Sequence, residues 1–445
     1  MNFLFPGRPR LVAPCRWLVL CFGGALSLAA QSLVLKQTVV PNRIYPTVFV
    51  VPSAWASQIP PSGTVNAPQR LTTLYPGQKI ALALLCEGSD RDKLLRETRI
   101  TARFTSPSSG AIETRDLKPA AIRRIKAEGS DMIVIAMAAA GIGAPDRTKL
   151  KEAMATQSLA VFPVDWTAPL TAKPQEIRIS VTIAGGAPPV QANDAVLSLR
   201  PDADWLKVTP PTTQEYGQYM NRYHADLAPG QQLAFLKGVA AEHKVNNLAV
   251  VSFFAIAYRE NALARRAAIE AFPTLDAETK MALLLVLRLA GQDLSGLAAS
   301  APAGAVAEVQ SLEPLRDPRA GFTFPAPLTP AVVGELGNLM DQCWAGWMAT
   351  GNASYLRAMV SFLAWAPDYA VYQKALKGPP GPAGFNASVA RGIAYETAGW
   401  SIGSFQRTDP MVMDWVLYWS NDPTFPPALR RELTALPTNP IFNRK

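Results

Sequence analysis

The chain has 445 residues, of which 49% are hydrophobic and 17% charged, with a formal net charge of +9. That balance is apolar enough to fold and long enough for two or three domains, of which two is the preferred count, and it excludes wholesale disorder. The basic excess is scattered, apart from RRIK at 123–126 and ARR at 264–266, and no aromatic residues interleave with those clusters as a nucleic-acid platform would require. They read as solvated charged faces, so no nucleic-acid partner is expected.

Residues 1–30 are expected to be a secretory signal peptide. Arg8, Arg10 and Arg16 stand without an acid before an apolar run from Trp17 to Ala30 that ends in small residues. The run is shorter than the roughly 20 residues of a membrane span, and Ser27 with Ala29 suits a small-x-small cleavage site. Lipid attachment at Cys21 is disfavoured by the bulky Leu20 before it. Export to the periplasm or beyond, with no stable transmembrane span after cleavage, follows. Cleavage would remove Cys15 and Cys21, leaving Cys86 and Cys343, which are expected to be buried, unpaired thiols.

From 31 to 208 the chain reads as a β-sandwich domain. Short runs of β type follow one another: LVLKQTVV, PTVFVV, KIALALL, RITARFT, DMIVIAMA, LAVFPVDW, EIRISVTI and AVLSLR. Several alternate, as Ile177, Ile179, Val181 and Ile183 do against Arg178, Ser180 and Thr182, which means one buried and one wet face. About eight such strands separated by turn-formers suit an immunoglobulin-like antiparallel sandwich. TPPTTQEYGQ, at 209–218, looks like the hinge, because paired prolines stop a strand and Thr212 or Thr213 can cap a helix.

From 209 to 445 the period becomes helical, with runs from QQLAFLKGVAAEH to MVMDWVLYW separated by stops rich in Gly, Pro, Asn or Asp. Short connections imply antiparallel neighbours in a bundle or solenoid-like stack, without a strict repeat. KGPPGPAGFN, at 377–386, reads as a rim loop.

The segment DQCWAGWMATGNASYLRAMVSFLAW, at 341–365, concentrates three tryptophans around a short break. At helical spacing Leu336, Met340, Cys343, Trp344 and Trp347 share one arc, with Asp341, Gln342 and Ala345 opposite. Gly351 supplies a left-handed stop and Asn352 a cap for a second helix, which turns Leu356, Met359, Val360 and Leu363 inward and Arg357 and Ser361 outward. The stretch is thus a helical hairpin whose tryptophans are core. Trp365, beside Pro367, falls off the arc and is the one residue left as a possible interaction surface.

No catalytic constellation emerges. GWSIG, at 399–403, matches a nucleophile elbow around Ser401, but an elbow needs a preceding strand and a later histidine. The residues before Ser401 are helical in pattern, and His224 and His243 both lie upstream. Small residues Gly392, Ala394, Ala398, Gly399 and Gly403 instead suit close helix packing. The two histidines match no metal-ligand spacing; His224 shares a helix face with Tyr216, Tyr219 and Tyr223. AAAGIGAPDR lacks the third glycine of a dinucleotide fingerprint, so no cofactor and no metal are expected. Glycoside chemistry needs only two acids without a local signature, and Glu396, one turn before Trp400, with Asp414 beside Trp415, is the best pair to be found.

LMDQCWAGWMATGNASYLRAMVSFLAW and TAGWSIGSF, and more loosely YRENALARRAAIEAFPTLDAETKMALLLVLRLAG, resemble a group of uncharacterised exported bacterial proteins in which an aromatic helix runs into ATG, a second helix follows, and a later helix reads like A-x-W-S-x-x-S. The resemblance covers about half the chain. It implies a helical domain and no activity. The expectation is therefore an exported two-domain binding or scaffolding protein, its partner an envelope protein or glycan. The alternative is a polysaccharide-acting enzyme or sugar binder using Glu396 and Asp414.

Overall fold

The structure, a computed structural model, describes residues 43–442 except 69, 75–77, 106–109, 111, 127–130, 140–156, 170–172, 185–188, 201–219, 221–228, 243–246, 326–327 and 378–384. Residues 1–30, expected to be a signal peptide, the run LVLKQTVV, the expected hinge at 209–218, His224 and His243, most of AAAGIGAPDR and most of the segment at 377–386 lie outside the described residues.

The N-terminal half builds two sheets from β1 (Arg43–Pro52), β2 (Thr64–Asn66), β3 (Thr73–Leu74), β4 (Lys79–Glu87), β5 (Arg99–Thr105), β6 (Ile112–Leu117), β7 (Ala121–Lys126), β8 (Gln157–Thr167), β9 (Gln175–Ala184), β10 (Val190–Gln191) and β11 (Ala195–Leu199). One sheet runs β1-β4-β8-β7-β2; the other runs β3-β11-β9-β5-β6, with β10 also paired to β9. Most neighbours are antiparallel, as expected. The expectation of a wholly antiparallel sandwich is corrected at two edges, where β2 joins β7 and β3 joins β11 in parallel.

The two sheets differ because their strands are written differently. In β9, Ile177, Ile179, Val181 and Ile183 are buried while their neighbours are wholly or partly exposed, so its sheet has one wet face. In β4, every residue from Ile80 to Glu87 is buried, because that sheet is covered on both faces. Ile80, Leu82, Leu84 and Cys86 face the second sheet, and Ala81, Ala83 and Leu85 face away into a second core with Tyr45, Phe49, Leu159 and Val161.

Two short helices help to close that outer face: α1 (Trp55–Gln58) and α3 (Asp131–Ala139), whereas α2 (Arg91–Glu97) leads into β5. The run DMIVIAMA, expected as a strand, is therefore a helix. Its apolar residues are continuous and do not alternate, so periodicity cannot separate strand from helix. Packing decides: Met132 and Ala136, one helical turn apart, both fall into the outer core.

The C-terminal half holds α4 (Pro229–Ala241), α5 (Leu248–Glu260), α6 (Ala262–Ala271), α7 (Ala277–Leu289), α8 (Ala305–Gln310), α9 (Ala331–Thr350), α10 (Ala353–Ser361), α11 (Tyr369–Leu376), α12 (Ala387–Thr408), α13 (Pro410–Asn421) and α14 (Pro427–Ala435). Side chains set many of the starts: Asn247, Asn261, Asp276, Asn352, Asn386 and Asp409 each accept hydrogen bonds from backbone N–H groups of the first turn they cap. α9 packs along α5, α10 and α12, and its apolar arc is buried as its spacing predicts. Ala345, placed on the opposite side by spacing, is buried as well, because α9 is enclosed on more than one side. Small residues let α12 sit close to its neighbours: Phe442 lies against Gly399, and the Asp368 carbonyl approaches Gly392.

The sheet and helical halves belong to one compact unit spanning Val40–Lys445. Among the described residues, no helix is long and apolar enough to cross a membrane.

Candidate functional site

The two halves meet at α1 and the ends of α9 and α13. Trp55 and Ile59 anchor the α1 segment in the outer core of the first sheet, and Met411 of α13 packs against the same core. Between those anchors sits Gln58, 3% exposed. Its Nε2 donates to the Thr350 carbonyl at 3.0 Å, while the Trp415 indole N–H donates to the Gln58 carbonyl at 2.8 Å. A buried amide needs such partners, because leaving a donor or acceptor unmade there costs about 1–3 kcal/mol.

The ATG break is the receiving surface for Gln58. Gly351 ends α9 with φ +63°, and a Cβ at that position would lie 2.7 Å from the Gln58 Cδ and Nε2 atoms. One turn earlier, the Trp347 indole N–H donates to Asp409 Oδ2 at 3.0 Å. Asp409 Oδ1 accepts from the Met411 N–H at 2.8 Å, so one carboxylate caps α13 and ties it to α9. The residues that look like a tryptophan pocket in the sequence form the frame that holds α13 against the sheet.

Beside this junction lies a cleft of about 470 Å³. Ser62, Gly63, Thr64 and Val65 form its sheet-side wall, and Asp414, Leu417, Tyr418 and Asp422 line the α13 side. Asp414 is 6% exposed, whereas Leu417 is 46% exposed. Hydrogen bonds from the Thr424 hydroxyl and N–H, at 2.8 and 2.9 Å, hold the Asp422 carboxyl below its usual range. Burial and a hydrogen bond to Asp422 push the Tyr418 phenol up, so the cleft pairs an ionised carboxylate with a neutral hydroxyl.

No family model, curated protein or solved structure matches this chain. Chemistry at the junction therefore stands on its own residues.

Of the acid pair sought in the sequence, Asp414 lines the cleft and Glu396 does not. Glu396 is half-buried on α12, and Trp400, one turn on, is 48% exposed. Trp415 is buried and directs its N–H to Gln58 rather than into the cleft. Ser401 lies inside α12 and accepts a hydrogen bond from the Trp344 indole at 2.6 Å, while the Trp344 ring stacks on Phe405 at 4.0 Å. That environment is helix packing, not the strand-to-helix turn of an elbow. Trp365 is half-buried in a 3₁₀ turn after α10, its ring 5.2 Å from Phe362 and 5.7 Å from Phe324, which lies outside the hairpin. Cys86 and Cys343 are buried free thiols in different cores, and burial pushes both up to about 12. Sequence reasoning missed Gln58, Tyr418 and Asp422; the isolated aromatic-polar segment WASQIP between two strands is the one signal that could have pointed to the first.

Ion pairs brace the helical half. Arg319 makes hydrogen bonds of 2.7–3.0 Å to Asp317, reaches Glu260 at 3.2 Å and lies 4.5 Å over the Tyr355 ring; Arg391 Nε meets Asp368 at 2.7 Å. The Arg319 bond holds Asp317 below the usual carboxylate range, and Arg391 does the same for Asp368. A carboxyl whose folded pKa is depressed adds stability that is complete above the unfolded value, about 3.9, and disappears as pH falls through the folded one. Thermal midpoints are expected to be flat from about pH 7 to about pH 5 and to fall below about pH 4. Asp317→Asn with Asp368→Asn should lower the neutral-pH midpoint and flatten the acid limb; an unchanged limb would remove these pairs as its source.

Proposed function

We propose that the chain is an exported two-domain binding or scaffolding protein of the bacterial envelope, in which an immunoglobulin-like sandwich joins a solenoid-like helical stack and a ligand occupies the cleft between them. One observation carries the reading: the cleft lies directly beside the Gln58 contacts that fix α13 against the sheet. A concave surface between two fixed walls offers a ligand little reorganisation cost, and such junctions are common binding sites. The walls place carboxylates, hydroxyls and an amide beside a larger apolar surface from Pro60, Val65, Leu417 and Pro423, which suits a glycan with hydroxyl edges and apolar ring faces or a loop of an envelope protein. The resemblance of the aromatic-ATG hairpin to exported bacterial proteins supports the location.

The alternative, a polysaccharide-acting enzyme, gains support from Asp414 in the cleft and loses it from Glu396, which does not line the same cleft. A glycan array and a pull-down from envelope extract, each run with the mature chain and with Leu417→Arg, distinguish the readings. Leu417 is exposed, so the arginine obstructs the cleft without disturbing a core. The expected result is a saturable ligand whose affinity falls at least about tenfold in the variant, a loss of about 1.4 kcal/mol or more. A sugar signal that survives Leu417→Arg and vanishes in Trp400→Ala would move the site to the exposed tryptophan. Glycan turnover abolished by Glu396→Gln would replace binding with catalysis.

A further inference from the structure

Arg123, the first residue of the RRIK cluster that reads as a solvated face by sequence, lies in a built groove. Arg96 at the end of α2, Arg99 at the start of β5, Lys118 before β7 and Arg123 in β7 line one cleft of about 380 Å³, and no carboxylate lines it. None of the four makes an ion pair with a described acid. Arg96 and Lys118 have exposed side chains with no hydrogen bond among the described residues. Arg99 Nη1 donates to the carbonyls of Arg96 and Thr98 at 3.0 and 2.8 Å, which fixes its guanidinium at the groove. Arg123 is half-buried; its Nε donates to the Pro60 carbonyl at 3.0 Å and its Nη1 to the Ile122 carbonyl at 2.9 Å, leaving Nη2 without a partner among the described residues. Burial pulls the Arg123 guanidinium down from its usual value, as expected for a desolvated cation without a counter-charge.

Like charges gathered from three elements repel one another, and a desolvated guanidinium without an anion costs stability. Carbonyls that position two of the forks offset neither charge. An anion in the groove would. A carboxylate accepts one guanidinium fork, whereas a phosphate group offers three oxygens and close to two charges, enough to engage several cations together. The volume leaves room for a small group attached to that phosphate.

We propose that the groove formed by Arg96, Arg99, Lys118 and Arg123 binds the phosphate of a phosphate ester. The ester comes either from a small soluble metabolite or from an anionic lipid headgroup. The site is separate from the junction cleft, and its test uses different residues, so either can fail alone.

The full mature chain is titrated calorimetrically at low salt with inorganic phosphate and with glycerol 3-phosphate. It is also sedimented with phosphatidylcholine vesicles with and without phosphatidic acid, whose headgroup is a phosphate monoester. Arg96→Gln with Lys118→Gln removes two exposed cations whose side chains make no hydrogen bond or ion pair with a described residue, so folding is preserved. Arg266→Gln, on α6, controls for the loss of a surface cation outside the groove. The expected result is saturable binding that weakens at least tenfold in the double variant and is unchanged in Arg266→Gln. Tight free-anion binding without vesicle selectivity assigns a soluble ester; vesicle binding that far exceeds the free anions assigns a headgroup. The proposal is overturned if neither anion nor vesicle binds, if the double variant and Arg266→Gln bind alike, or if acetate or glucuronate binds more tightly than phosphate.

Discussion

Replacing Trp347 by alanine is expected to destabilise the helical half by about 3–5 kcal/mol, the range for removing a fully buried large aromatic side chain. Trp347 is 0% exposed near the end of α9, within the largest hydrophobic core. Its loss opens a cavity between packed helices and removes the indole donor from Asp409, the residue that caps α13. Trp347→Phe separates the two effects. The smaller ring keeps most of the packing, so its cost should be lower, near the roughly 1.5–3 kcal/mol of one hydrogen bond to a charged group plus a partial cavity. Urea unfolding followed by far-ultraviolet circular dichroism measures both variants. A loss below about 1 kcal/mol in the alanine variant, or equal losses in the two, would show that Trp347 does not organise this core.

The pattern of the helical hairpin at 341–365 was legible because a single period governs it. Leu356, Met359, Val360 and Leu363 are buried, and Arg357 and Ser361 are exposed, where spacing puts them. β9 was legible for the same reason, since one wet face forces alternation. Residues 131–138 were not, because an unbroken apolar run fits a strand covered on both faces as well as a helix laid over one. Sites fared worse than elements. Gln58 contacts Thr350 across 292 positions, and nothing local in WASQIP announces that partner. Glu396 and Asp414 were paired by residue type and neighbouring tryptophans, but a cleft is defined by where α13 meets β2, which no helical period encodes. Four cations from α2, β5, the turn before β7 and β7 itself converge only because the chain passes from β5 and β6 of the second sheet to β7 of the first.

The junction itself can be tested at Gly351. Gly351→Ala is expected to cost about 2–5 kcal/mol, from two sources of similar size. A non-glycine residue held in the left-handed region pays about 1–2 kcal/mol. The added Cβ also meets the Gln58 side chain at 2.7 Å. A flexible amide could ordinarily swing aside at little cost, but Gln58 is 3% exposed and held by its bond to the Thr350 carbonyl. Moving it breaks that bond and leaves a buried amide without its partner, a further 1–3 kcal/mol by the usual range. Gln58→Ala relieves the collision while keeping the backbone strain, so the two substitutions should be non-additive. Gly351→Ala should cost about 1–3 kcal/mol less in the Gln58→Ala background than in the native one, as expected for residues in direct contact. Chemical denaturation supplies the four stabilities of the cycle. Limited proteolysis adds a local readout, with faster cleavage around residues 60–65 expected in Gly351→Ala because the sheet-side wall of the cleft is no longer held against α13. Equal costs in both backgrounds would mean that the strain of the left-handed stop acts alone and that Gln58 does not couple the sheet to the helical half.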